Sequence, residues 1–336
     1  MRNETAALFD AYTLQQARLS GVSNVTRHFN VSPTVQQKLE TRMQESSSFL
    51  SAINVFPVVA QMGAKVGLSL TRPVASRTNT AVDGPRKTKD PTSKDQKGYT
   101  CLQINSDTHI RYEMLDAWAH FPDFQVRISN LIAERNALDR IMVGWNGKEA
   151  KPTTNLTDNP LLQDLTKGWL QRLREEAPER VMSSGKVAGK VTVGPNGDYK
   201  NLDALAMDAK HSLIDPWHRK HPGIRAICSD DLMHDKLFPI VNNNDQPTER
   251  LAADMVVSQM RLGGSQAVTV PFFIDGGMLI TPLENLSIYW QRDARRKAII
   301  DNPAMNQVDF FNSSNDDYVI EDFGACAFVE NIEFIE

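Results

Sequence analysis

Four histidines, His211, His218, His221 and His234, fall in one stretch of the chain beside Cys228 and the Asp230–Asp231 pair. Imidazole, thiolate and carboxylate are zinc ligands, so the stretch invites a metal-site reading. Its spacing argues against one. A helix-borne zinc pair sets His at i and i+4 with a glutamate between, as in HExxH. "HRKHPG" sets His218 and His221 at i and i+3, ends on a proline and holds no glutamate. Structural zinc would want more thiolates at short spacing. Surface histidines at a helix end, favoured there by the dipole, are the commoner arrangement.

Other reactive patterns fare no better. "GKVAGKV" at 185–191 approaches the phosphate-binding GxxxxGK[ST] loop, but Gly185 to Gly189 is one residue short. Val191 also stands where the Mg²⁺-binding hydroxyl belongs. A glycine hairpin is the simpler reading. No GxSxG nucleophile elbow and no evident Cys/His pairing is present. The Arg295–Arg296 pair beside "LENLSIYWQRD" suggests an anion site, although intersubunit ion pairs or a solvated strand end are commoner. We assign no catalytic, cofactor-binding or metal-ligating residue and expect no cofactor.

The composition is that of an ordinary globular protein with room for about two lobes: 336 residues, 41% hydrophobic and 23% charged. A net charge of −4 argues against a dedicated nucleic-acid binder. Cys101, Cys228 and Cys326 are odd in number and form no CxxC, which suits reduced thiols in a cytosol-like compartment. "MRNETAALFDAY" lacks the apolar run of a secretory signal, and no segment is apolar enough to cross a bilayer. No membrane partner is expected.

The elements that would carry such residues mix helix and strand without βαβ alternation, which favours an α+β fold. Leu8, Tyr12 and Leu19 suggest one amphipathic helix in the first fifty residues; Val35, Leu39 and Met43 suggest another, with Ser32 as N-cap and Pro33 at its first position. This region reads as an extended arm outside the core. Period-2 alternation at Val66, Leu68 and Leu70, resumed at Leu102, Ile104, Ile110 and Tyr112, predicts a long hairpin. Its tip, "SRTNTAVDGPRKTKDPTSKDQKG" from Ser76, carries Val82 as its only sizeable apolar side chain. Such a tract buries too little to offset its ordering entropy, so it stays mobile or is ordered by a partner.

A long helix is predicted over 122–145 from Phe124, Ile128, Leu131, Ile132, Leu138, Ile141, Met142 and Trp145. A second is predicted over 159–178, with Asn159 as cap, Pro160 first, Leu162, Leu165, Trp169 and Leu173 as its stripe and Pro178 as its stop. The 181–200 segment reads as a glycine-rich hairpin. Asn201 caps a third helix, "GIRAIC" is a buried strand, and a short helix starts at Asp230. The remainder reads mostly as strands.

The wording of the chain resembles a known family. "MQESSSFLSAINVFPV", "DFQVRISNLIAERNALDRIMVGWNG", "NPLLQDLTKGWLQ", "EAPERVM", "DYKNLDALAMDA", "KLFPIVN", "ERLAADMVVSQ" and "LENLSIY" are similar, in order, to segments of the major capsid proteins of P2-type (Peduovirus) tailed phages. The resemblance runs from "MRNET" to "DYVIEDF" and implies the HK97-type fold. It makes 1–54 an N-terminal arm, 55–112 an extended E-loop hairpin, and 113–199 a peripheral domain with spine helix 122–145. Residues 200–285 become the axial domain, and 286–336 return to the peripheral one.

The implied function is a major head protein whose pentamers and hexamers close an icosahedral shell around double-stranded DNA. The implied partners are other copies of the chain, an internal scaffolding protein that is also a protease, a portal protein and the enclosed DNA. The implied location is the virion, with host cytoplasm during assembly. Residues 1–30 would serve assembly and be trimmed near 29–32, so a chain that keeps Met1 reads as a precursor. The tract from Ser76 would be ordered by a neighbouring copy. A weakly acidic chain also suits a container that must not grip DNA phosphates. Two other readings stand beside this one: an encapsulin-type cargo shell of the same fold, and a metal-dependent enzyme using His218 and His221.

Overall fold

The computed structural model describes residues 1–65, 75, 77–80, 82, 84–86, 88, 98–121, 123–242 and 260–335. The expected alternation at Val66, Leu68 and Leu70, most of the hairpin tip and Pro122 lie outside the described residues.

Eight helices occur among the described residues: α1 Asn3–Ser20, α2 Pro33–Glu45, α3 Ser48–Ala52, α4 Tyr112–Trp118, α5 Phe124–Asn146, α6 Trp169–Glu176, α7 Leu202–Leu213 and α8 Asp230–Asn242. Gly21 ends α1 at φ +68°, where its N–H reaches the carbonyls of Ala17 and Arg18. Pro33 opens α2 after Ser32, although Ser32 makes no side-chain cap bond. Asn201 does cap α7, accepting from the Ala204 N–H at 2.8 Å. At 1.5 Å per residue α5 runs about 35 Å. Its N-terminal half buries Ile128 and leaves Leu131 half-exposed, whereas residues 140–147 are buried on every side.

The long strand Gln307–Ile320 is the hub of a seven-stranded sheet. It pairs antiparallel with Arg296–Asn302, Leu286–Gln291, Leu102–Asn105 and Thr108–Arg111. Asn54–Val58 joins parallel to Leu286–Gln291, and Phe29–Asn30 joins Arg296–Asn302. A six-stranded sheet centres on Ile224–Cys228 and Met278–Pro282 and packs with α7 and α8. The first core lies between α5, α6 and the first sheet, where Trp145, Trp169, Phe49, Phe273 and Tyr318 stack edge-on or tilted at 4.9–6.1 Å. The α+β expectation holds.

Four local expectations need correction. The predicted helix over 159–178 is helical only from Trp169 to Glu176. Leu162 sits at φ +58°, and the Asp164 carboxylate accepts from the Asn155 N–H at 2.8 Å, so turns replace the first half. Tertiary packing and local side-chain bonds override propensity there. The 181–200 segment is not a self-paired hairpin. Val181–Met182 pairs parallel with Ala327–Val329, and Val191–Val193 pairs parallel with Ile332–Phe334.

The base of the 55–112 hairpin differs from expectation. Among the described residues Met62–Ala64 pairs with Gly98–Thr100, while the flanking segments on the sheet side join the larger sheet. Finally, the first fifty residues do not stand outside a core. Phe9, Tyr12, Val25, Phe29 and Val31 are buried with Ile110, Leu115, Ile128, Ile299, Val308 and Phe310. The apolar side chains of the arm were spaced too widely to reveal this from the sequence.

Candidate functional site

Two buried ion clusters meet at adjacent residues of the hub strand. Arg140 of α5 donates through Nη2 to Asp316 Oδ2 at 2.8 Å and through Nε to the same oxygen at 3.2 Å. It also donates to both carboxylate oxygens of Glu40 on α2. Arg295 Nη2 lies 2.9 Å from Glu40 Oε1. Two guanidinia thus balance two carboxylates among arm, long helix and sheet. Burial by itself would raise the Glu40 carboxyl, but Arg140 and Arg295 hold it below the usual range. Burial likewise opposes the charge on Arg140, and Asp316 and Glu40 more than offset it.

Asp317 organises the second cluster. Arg172 Nη2 of α6 reaches its two oxygens at 2.5 and 2.7 Å, and Arg172 Nη1 reaches Glu176 at 3.3 Å. The Thr100 N–H donates to Asp317 Oδ2 at 2.8 Å. This bond fastens the hairpin base. Beside it the Tyr99 ring meets Tyr289 edge-on at 5.1 Å, and the Cys101 N–H donates to the Gln61 carbonyl at 2.8 Å. Burial outweighs Arg172 at Asp317 and raises its carboxyl.

The arm is held along its length. The backbone N–H of Arg2 donates to Asp116 at 2.9 Å. The Ile299 N–H donates to the Val25 carbonyl at 2.9 Å, and the Val31 N–H donates to the Arg295 carbonyl at 3.1 Å. Such fastenings position extended segments; they perform no bond chemistry.

The histidines are not gathered into one site. His218 Nε2 lies 3.0 Å from Asp322, His221 Nε2 3.7 Å from Glu284, and His234 Nδ1 3.5 Å from its neighbour Asp235. His211 is exposed in the last turn of α7. Among the described residues no three His, Cys, Asp or Glu side chains are arranged to hold a metal. Cys101, Cys228 and Cys326 are free and fully buried, and burial pushes each thiol up to about 12.

In the 185–191 loop the Asp198 carboxylate accepts from the Lys186 N–H at 2.8 Å, from the Thr192 N–H at 2.9 Å and from the Thr192 hydroxyl at 2.7 Å. These donors hold Asp198 down to about 2, and its carboxylate takes up the N–H groups that a bound phosphate would need. The loop also leads into a strand, not a helix. Of the arginine pair, Arg295 is buried against Glu40 in the same chain and Arg296 is exposed.

Sequence reading missed Glu40, Arg140, Asp316, Asp317 and Arg172. Two signals were there: adjacent aspartates opening an apolar strand run, and Arg140 flanked by the apolar positions Ala137 and Ile141. In α2 the buried stripe is Gln36, Glu40 and Met43. The Val35–Leu39 face is only partly buried.

Comparison with known proteins agrees over the whole length. A family described as "Phage major capsid protein, P2 family" matches residues 8–332. The chain is 46% identical over 341 residues to "Capsid proteins" of Escherichia phage P2, covering 99% of this chain and 96% of that one. It is 43% identical over 344 residues to "Major capsid protein" of Serratia phage KSP20, covering 100% and 99%. A solved chain from "Satellite phage P4 procapsid including size determination (Sid) protein" matches with TM-score 0.83 at 44% identity, covering 100% and 99%. No described helix is long and apolar enough to cross a membrane.

Proposed function

This chain belongs to the P2 family of phage major capsid proteins, and from that premise we propose how its segments divide the work of building a shell. It is a shell-forming structural protein of the virion with the HK97-type fold, not an enzyme. The full-length match to a procapsid chain is the observation that carries this reading.

In the proposed division, rings of five and six copies close by rotation into an icosahedral shell around double-stranded DNA. Residues 113–199 and 286–336 act as the peripheral domain, with α5 as its spine, and 200–285 as the axial domain. The separate core around α7 and α8 supports that boundary, although Val181–Met182 and Ala327–Val329 extend its sheet from outside the range. Residues 55–112 act as the E-loop, whose tip is ordered by a neighbouring copy; the paired base at 62–64 and 98–100 suits a projecting arm. Residues 1–54 meet a scaffolding protein that is also a protease, and are trimmed near 29–32. Phe29 and Val31 are buried, so cleavage there requires the arm to undock first. A portal protein completes the shell.

Electron microscopy of the chain expressed with and without its scaffold tests the reading. Closed shells of uniform size are the expected outcome. A chain that stays monomeric at high concentration with its scaffold present would overturn it.

A further inference from the structure

Between the arm helices α1 and α2, the helix α5 and the hub sheet lies a cavity of about 70 Å³ that opens to solvent. Its walls carry two cations, Arg295 and Lys297, and neutral polar side chains such as Ser129, Asn136, Asn312 and Ser314. Among the described residues no carboxylate lines it. Arg295 is already matched by Glu40. Lys297, on the strand that faces Phe29 on one side and Asn312 on the other, has no ion pair among the described residues. Burial, then the nearby Arg295, draws its amine down to about 8. Lys297 is partly buried, and a cation drawn out of bulk water without a counter-charge is unfavourable unless something pairs with it.

We propose that this cavity binds a small tetrahedral oxyanion of the phosphate class, held by Lys297 and the surrounding hydroxyl and amide groups. The anion supplies the missing negative charge, and serine and asparagine donors satisfy its remaining oxygens. Because Tyr12 and Gln16 of α1 share the cavity with residues of the body, a bound anion also ties the arm down. The inference rests on the cavity and is independent of the shell reading.

The test is thermal unfolding of the full chain in inorganic phosphate against chloride at equal ionic strength, with proteolysis of the 21–28 loop as a second readout. Phosphate is expected to raise the melting temperature saturably and slow cleavage. Lys297→Met should weaken the apparent affinity roughly tenfold or more, while Lys297→Arg retains it. Equal effects of the two salts, or an undiminished phosphate effect in Lys297→Met, would overturn the proposal. Should Lys297→Met not fold, ³¹P line broadening on the wild-type chain decides: broadening reversed by sulfate supports the site, and an unbroadened line refutes it. A short single-stranded oligonucleotide forms the last arm. Protection by it equal to that by phosphate assigns the anion to nucleic acid, and protection by phosphate alone assigns it to the free ion.

Discussion

Asp316 and Asp317, neighbours on the hub strand, hold different parts of the chain: Asp316 binds Arg140 of the long helix, and Asp317 binds Arg172 and the Thr100 N–H at the hairpin base. Side chains alternate along a strand, so adjacent carboxylates face opposite sides of the sheet. Tyr318 follows Asp316 into the core with α5, while Val319 follows Asp317 into the cluster with Tyr99. One dipeptide therefore registers the arm and the hairpin against the same sheet.

Arg140→Met tests the first cluster. It leaves Asp316 buried without its partner and Glu40 with Arg295 alone, and should cost about 3–5 kcal/mol in urea denaturation. Glu40 is held below its unfolded value, so its contribution is present above the ordinary carboxylate range and lost as pH falls through the folded value. The gap between wild type and variant should therefore narrow in acid. A loss under about 1 kcal/mol would show that the cluster behaves as a surface pair.

Gly144→Ala separates propensity from packing. Alanine gains about 1 kcal/mol over glycine inside a helix. At Gly144 a Cβ would fall on the buried Trp169 ring, and overpacking costs about 1–3 kcal/mol. Packing should win, giving a lower melting temperature and an altered near-ultraviolet signal from tryptophan. A more stable variant would refute the contact.

The hairpin should matter to shells and not to the subunit. Shortening Thr80–Lys94 to a tight turn should leave circular dichroism nearly unchanged while shells weaken or fail to sediment. Arg86→Ala with Lys87→Ala is a milder version whose effect shrinks in high salt. At the base, a Cβ on Gly98 would strike the Gly63 carbonyl oxygen, so Gly98→Val should act like the shortened chain. Particles of undiminished heat resistance from either chain would count against an ordering role.

Deleting residues 1–30 before folding should be worse than removing them from finished shells. The deletion uncovers Ile110, Leu115, Ile128, Ile299, Val308 and Phe310. We expect lower solubility and cooperativity from the truncated subunit, and mass spectrometry of mature particles should find a start near 29–32. A truncated subunit as soluble and stable as the full chain would show that the arm adds nothing to the core. Mature protein still beginning at Met1 would refute trimming.

Lys297 gives a pH signature. Its folded value of about 8 lies below the ordinary 10.5, so the fold disfavours the charged amine and the penalty is present in full below about 8. The penalty fades as pH rises from there toward 10.5. In chloride, Lys297→Met should be more stable than wild type at pH 7 by at most about 3 kcal/mol. The difference should shrink by pH 9. A pH-independent difference would mean that the amine is hydrated.

Much of this protein was legible along the chain. The limits of α5, the Asn201 cap, the Pro33 start and the strand at 224–228 depend on neighbours a few residues away, and local periodicity reports them. The family resemblance was legible for a different reason: many segments agree in order, though none carries chemistry. Tertiary structure alone decided what the charges do. Glu40, Arg140, Arg295 and Asp316 are far apart in sequence, and a charged residue looks the same there whether it is solvated or buried. It also decided that Leu162 turns instead of continuing a helix, and that Lys297 lines a cavity with no carboxylate among the described residues. Burial and charge pairing are set by what the rest of the chain brings into contact, and no local pattern encodes that.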